Sequence, residues 1–289
     1  MNALHERSHK PSKTEPRGEL RYHEAFRSEF LSNERTVVVY LPPGYATEKK
    51  RRYPVFYLHD GQNLFDPATA YGGVAWEADT TAERLIRTGR IHPVILVGIY
   101  NTPDRIHEYT LHYDPREEKG GRGEEYARFL FEELKPFIDR QYRTRPDRRH
   151  TAVGGSSLGG LISLEMARLH HERFALCGVF SPALWWHRGR ALKDLEQDNQ
   201  WMREMRFWVD MGTREGNRRQ AVHAGIQRLR QLLDQFDRAG LIPGRHYYYW
   251  EVAGGEHNEA SWASRFDKVL LYFFGRMEED EDQRLPTLW

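Results

Sequence analysis

One stretch constrains this chain more than any other: Thr151-Ala152-Val153-Gly154-Gly155-Ser156-Ser157-Leu158-Gly159-Gly160-Leu161-Ile162-Ser163-Leu164. An apolar, β-prone run enters a cluster of small residues and leaves as an amphipathic helical pattern, which predicts strand, sharp turn and helix. Gly155-Ser156-Ser157-Leu158-Gly159 fits G-x-S-x-G, the pattern in which a central serine is held in strained backbone at the turn. The flanking glycines let strand and helix approach closely. Taking Ser156 as the central serine leaves no glycine where the helix must approach, so the candidate nucleophile is Ser157. A Gly-rich anion loop at a helix N-terminus is the competing reading. No Lys-Ser or Lys-Thr follows the glycines, which argues against a phosphate loop.

The 289 residues, 39% hydrophobic and 29% charged, suit an α/β domain with a sizeable core. Forty-three basic side chains face forty-two acidic ones, a net charge of +1. No global field calls for nucleic acid or an anionic membrane, and only local patches of charge remain open. The first twenty residues carry charge, Pro and Gly without an apolar core, so a disordered tail over 1–20 and a cytoplasmic protein are expected. No run of about 18 apolar residues occurs. Cys177 is the only cysteine, which excludes an intrachain disulfide and a cysteine-based metal site.

Strands and helices alternate along the chain. Arg21 to Phe30 and Arg35 to Leu41 predict an antiparallel hairpin, and Tyr53 to His59 an inner strand ending in the polar turn Asp60-Gly61-Gln62-Asn63. In open α/β sheets such strand ends carry the ligand site. A helix over 76–88 and a strand over 93–99 precede a long polar segment, 100–123, which contains Arg105 and reads as a functional rim. A helix over 124–142, the serine turn and its helix, strands over 174–180, 206–211 and 246–252, and helices over 218–239 and 260–274 complete the pattern. The expected architecture is α/β: a mostly parallel sheet with helices on both faces, spanning 21–275 as one domain and followed by an acidic tail over 276–289.

A serine hydroxyl needs a histidine base within hydrogen-bond reach, and that histidine needs a carboxylate to fix its tautomer. Beyond Ser157 the chain supplies an acid and then a histidine, each near a strand end. His257 lies in the glycine-flanked turn Gly254-Gly255-Glu256-His257. Glu215 sits in the loop beyond one strand, with Asp210 inside that strand as its competitor. The oxyanion formed during acyl transfer needs N–H donors, and the backbones of Leu158 and Gln62 are the candidates. Asp60, Arg105, Trp185 and Trp186 are candidate pocket residues. The histidines show no H-E-x-x-H spacing, so no metal is expected.

The ordered segments Leu41 to Tyr45, Leu58 to Asn63, Arg105 to Tyr109, Gly154 to Gly160, Ser181 to Trp186, Gly212 to Glu215 and Gly255 to Trp262 resemble those of the Putative esterase family of α/β-hydrolases. That family includes esterase D and the feruloyl, acetylxylan and enterochelin esterases. The resemblance covers roughly residues 22 to 275. It implies the α/β-hydrolase fold and hydrolysis of a small-molecule carboxylic ester by Ser, acid and His, through an acyl-enzyme and without a cofactor. Gly212-Thr213-Arg214-Glu215 looks like the acid loop of enterochelin esterases, which favours Glu215 over Asp210. Trilactone siderophores and feruloyl or acetyl sugar esters are the narrower substrate classes it implies. A catalytically silent binding module on the same fold is the alternative from another class.

Overall fold

The computed structural model describes residues 17–216 and 219–276. Its eight strands are β1 (Glu19–Ser28), β2 (Asn33–Leu41), β3 (Val55–His59), β4 (Ile95–Ile99), β5 (Thr151–Ser156), β6 (Leu176–Phe180), β7 (Arg206–Gly212) and β8 (Tyr247–Val252). They form one sheet in the order β1-β2-β4-β3-β5-β6-β7-β8. β1 and β2 form the antiparallel hairpin, and β2 meets β4 antiparallel, while every later pairing is parallel. The fold is that of an α/β-hydrolase. β1 starts two residues before the hairpin boundary read from the sequence, and most of the two expected tails lies outside the described residues.

Helices cover both faces because the strands between them are apolar on both faces. Along β3, Val55 and Tyr57 enter one core layer and Phe56 and Leu58 the other. α1 (Ala78–Arg87) and α8 (Glu259–Phe274) close the second layer. The first layer is covered by α3 (Gly123–Arg128), α4 (Lys135–Gln141), α5 (Leu158–His170), α6 (Arg190–Gln197) and α7 (Arg219–Arg238). A π-helical turn, Phe129–Leu134, joins α3 to α4, so the single helix expected over 124–142 is continuous but locally unwound. Amphipathic α6 was not anticipated from the sequence.

Segment 100–123 contains a short helix, α2 (Arg105–Glu108), and is tied down at several points. Both Glu108 carboxylate oxygens accept from Arg35 at 2.8 and 3.0 Å, with both side chains fully buried. The Leu111 N–H donates to Glu165 Oε2 at 3.2 Å, and Trp186 Nε1 donates to the His112 carbonyl at 2.8 Å. Burial pushes the Glu165 carboxyl up to about 8 from 4.5, with the Leu111 hydrogen bond and Arg168 offsetting only part. The folded protein therefore keeps a proton that the unfolded chain releases near pH 4.5, and stability declines as pH rises from there to about 8. Glu165→Gln is expected to flatten this decline and to be more stable than the parent at pH 8 by on the order of 3 kcal/mol. Urea denaturation at pH 5 and pH 8 measures it, and parallel pH dependence in both proteins would contradict it.

Candidate active site

The segments that follow β3, β4, β5 and β8 converge on one cleft of about 540 Å³. Asp60, Gln62, Arg105, Ser157 and His257 all line it, together with Asn101, Glu259 and Trp262. Trp185 and Trp186 are not among its lining residues. Trp185 is half exposed, whereas Trp186 is buried beneath segment 100–123.

Ser157 joins β5 to α5 with φ 59° and ψ −118°, a left-handed value that a β-carbon disfavours. Two contacts hold the turn there. The Ser157 N–H donates to the Phe180 carbonyl at 3.0 Å, and the Ala183 N–H donates to the Ser157 carbonyl at 3.0 Å. Both pattern glycines face one wedge: a β-carbon on Gly155 would stand 3.0 Å, and one on Gly159 3.2 Å, from the His59 Cβ. Burial pushes His59 down to about 3, so it is a neutral packing residue, with Nδ1 at 2.9 Å from the Tyr126 hydroxyl.

Glu215 and His257 lie in facing turns. The Arg214 N–H donates to the Gly255 carbonyl at 2.9 Å and the Thr213 N–H to the Val252 carbonyl at 3.0 Å. Gly212 lies so close to Gly255 that a β-carbon would overlap its carbonyl. This contact brings Glu215 Oε2 to 2.8 Å from His257 Nδ1. The Glu215 side chain is buried at 1% exposure, while His257 is 41% exposed toward the cleft. A carboxylate can only accept, so Nδ1 carries the proton and Nε2 is left as the basic nitrogen. Among the described residues no hydrogen bond joins Ser157 Oγ to His257, whose Nδ1 is engaged by Glu215. Gly212→Ala is expected to separate the two turns and lower kcat on a simple ester about 100-fold. Steady-state kinetics test this, and unchanged kcat would show that the contact does not set the geometry.

Asp210 does not reach His257. Its Oδ1 accepts from Arg265 at 2.8 Å and its Oδ2 from Trp208 Nε1 at 2.6 Å, all of them buried. Ser181, a residue not singled out by the sequence, links this pair to Glu215. It donates to Glu215 Oε1 at 2.5 Å and accepts from Trp262 Nε1 and Arg265, each at 2.9 Å. The Gly212 N–H also donates to Glu215 Oε1, at 2.6 Å. Glu215 is thereby held on one oxygen by the core and on the other by His257.

On the opposite wall Arg105 grips Asp60 through two hydrogen bonds of 2.7 Å, and Asn101 adds a third of 2.7 Å. Gln62 lies in the turn after Asp60, with its Oε1 accepting from the Asn101 N–H at 3.2 Å. Among the described residues neither the Gln62 N–H nor the Leu158 N–H has a hydrogen-bond acceptor. Glu259 was also missed by the sequence reading. It accepts from Asn63 at 3.0 Å and from Trp76 at 2.5 Å, and burial raises its carboxyl to about 7. Among the described residues no three His, Cys, Asp or Glu side chains gather to hold a metal, and no helix is long and apolar enough to cross a membrane.

The sheet order and the strand-end turns are those of an α/β-hydrolase. The chain belongs to the Putative esterase family, whose model matches residues 28–273. It is 32% identical over 158 residues to the ferri-bacillibactin esterase BesA of Bacillus subtilis, covering 49% of this chain and 51% of that one. It is 30% identical over 164 residues to an endo-1,4-beta-xylanase/feruloyl esterase of Xylanibacter ruminicola, covering 54% of this chain and 20% of that one. The chain thus spans about half the length of the first relative and about a fifth of the second. Among solved structures, an IroE-like serine hydrolase from Shewanella oneidensis superposes with a TM-score of 0.71 at 22% identity, over 89% of this chain and 80% of that one. That likeness concerns the fold.

Proposed function

We propose that this protein is a serine carboxylic ester hydrolase with Ser157 as nucleophile, His257 as base and Glu215 as the acid that orients it. The observation that carries this reading is the 2.8 Å hydrogen bond from His257 Nδ1 to Glu215 Oε2 beside a cleft that also holds the strained Ser157. Ser157 Oγ attacks the ester carbonyl carbon while His257 Nε2 takes its proton. The negative charge that develops on the carbonyl oxygen faces the N–H groups of Leu158 and Gln62, each contributing about 3 kcal/mol to the transition state. Collapse breaks the ester C–O bond, and the alcohol leaves with the proton from Nε2. Water then attacks the acyl-serine by the same route, releasing the carboxylic acid and restoring Ser157.

The cleft is of a size for a small-molecule ester. The named activities of its relatives and structural neighbours point to feruloyl esters on one side and siderophore esters on the other. Initial rates on p-nitrophenyl acetate, methyl ferulate and a catecholate trilactone test the reading. Hydrolysis of at least one by the folded protein is expected. Turnover of none, with no covalent labelling by a fluorophosphonate, would overturn it and leave a binding module on an esterase fold.

A further inference from the structure

A second cavity, of about 360 Å³, opens at the other end of the sheet. It lies where the chain enters β3, β4, β5 and β6, whereas Ser157 follows the last residue of β5. Strand β5 has six residues, and at about 3.3 Å per residue it separates the two sites by about 20 Å. Four arginines line the cavity, Arg51, Arg52, Arg145 and Arg149, with His92 and His150 between them. Among the described residues no Asp or Glu lines it. Its apolar side is made by Leu176, Phe273 and Phe274 with two prolines.

A chain with a net charge of +1 does not gather four guanidiniums around one cavity through global charge excess. Their partners are also few. Arg51 pairs with Glu48 at 2.8 Å, and Arg52 donates to the Thr144 carbonyl at 3.1 Å. Among the described residues Arg52, Arg145 and Arg149 have no carboxylate within 4.0 Å. The backbone that carries them is fixed: the Tyr53 N–H donates to the Arg143 carbonyl at 2.9 Å, and the Arg145 N–H donates to the Tyr53 carbonyl at 2.7 Å. The positive field is felt locally, since burial and then Arg276, Arg51 and Arg145 lower the pKa of His92.

From this juxtaposition of an apolar floor with three guanidiniums that have no carboxylate partner among the described residues, we propose that the cavity binds a phosphate ester, its oxyanions on Arg52, Arg145 and Arg149 and its organic part against Leu176, Phe273 and Phe274. Guanidinium forks match phosphate oxygens two at a time, which a point charge cannot do. The cavity volume falls in the range of small-ligand sites. Binding here is independent of the ester chemistry, because no residue of the first cleft lines the second.

Isothermal titration of the full chain with adenosine diphosphate at low salt tests the proposal, with inorganic pyrophosphate as the probe lacking an organic part. One-to-one binding of the diphosphate with Kd at or below about 100 µM is expected, with pyrophosphate several-fold weaker. The double variant Arg145→Gln, Arg149→Gln should raise Kd by about tenfold or more while ester turnover stays within about twofold. A control pair outside the cavity, Arg228→Gln with Arg245→Gln, should leave Kd unchanged. Absence of saturable binding to the parent up to about 1 mM, or an equal loss in the control pair, would overturn the site. Replacing Glu278, Glu279, Asp280, Glu281 and Asp282 by their amides should also leave Kd unchanged. A fall of about tenfold there would assign the cavity to the chain's own carboxylates and overturn the proposal as well.

Discussion

Ser157→Ala is expected to lower kcat on p-nitrophenyl acetate by roughly 10⁵-fold while leaving KM near its parent value. At 1.36 kcal/mol per decade, that is a loss of about 7 kcal/mol of transition-state stabilisation, carried by one oxygen atom. The remaining rate comes from substrate binding and the backbone donors, which the substitution leaves in place. The same change relieves no strain at φ 59°, since alanine keeps the β-carbon that disfavours it. Stability should therefore be nearly unchanged, and a thermal melt within a few degrees of the parent separates lost chemistry from lost fold. A variant that kept more than about a tenth of parental kcat would remove Ser157 from the mechanism.

The two carboxylates near the end of β7 should give opposite phenotypes. Glu215→Gln presents an amide to His257 Nδ1 and favours the wrong imidazole tautomer, so kcat should fall by about 10³- to 10⁴-fold. Asp210→Asn leaves that hydrogen bond in place but strips the charge opposite Arg265, whose side chain is 1% exposed. Among the described residues the only carboxylate then facing the buried guanidinium would be Glu215, its Oε1 at 3.7 Å, and breaking a buried pair in this way costs about 3 kcal/mol of stability. The prediction for Asp210→Asn is thus a large drop in urea midpoint with kcat within about tenfold of the parent. Part of that change in kcat would pass through Ser181, which touches both Arg265 and Glu215. If Asp210→Asn abolished turnover in a protein of unchanged stability, and Glu215→Gln did not, the roles of the two acids would be exchanged.

The order of elements was legible because its signals are local. The period-two and period-3.6 patterns and the glycines around Ser157 each occupy a few consecutive residues, and the sheet assembled from them has the expected hairpin and parallel strands. What escaped the sequence depends on residues far apart in it. Choosing between Glu215 and Asp210 needs the Gly212–Gly255 contact and the position of Arg265, 55 residues beyond Asp210. Ser181 carries no motif; its one signal is a serine directly after an inner strand, as Ser157 is. Trp185 and Trp186 were read as wall residues because they also follow a strand end. The turn there sends Trp186 beneath segment 100–123 and Trp185 to solvent, and neither direction is written in the pair itself. Segment 100–123 read as a functional rim, and the Arg105–Asp60 and Glu108–Arg35 pairs that tie it down link elements 45 and 73 residues apart.

The most direct test of a nucleophilic serine at this turn is covalent. After reaction with a fluorophosphonate, intact mass followed by peptide mapping should show one adduct, on the peptide that contains Ser157, and Ser157→Ala should show none. Labelling should also slow strongly in His257→Ala, because the hydroxyl is activated only through its base. An adduct on another serine, or none on a folded protein that still hydrolyses esters, would contradict the mechanism.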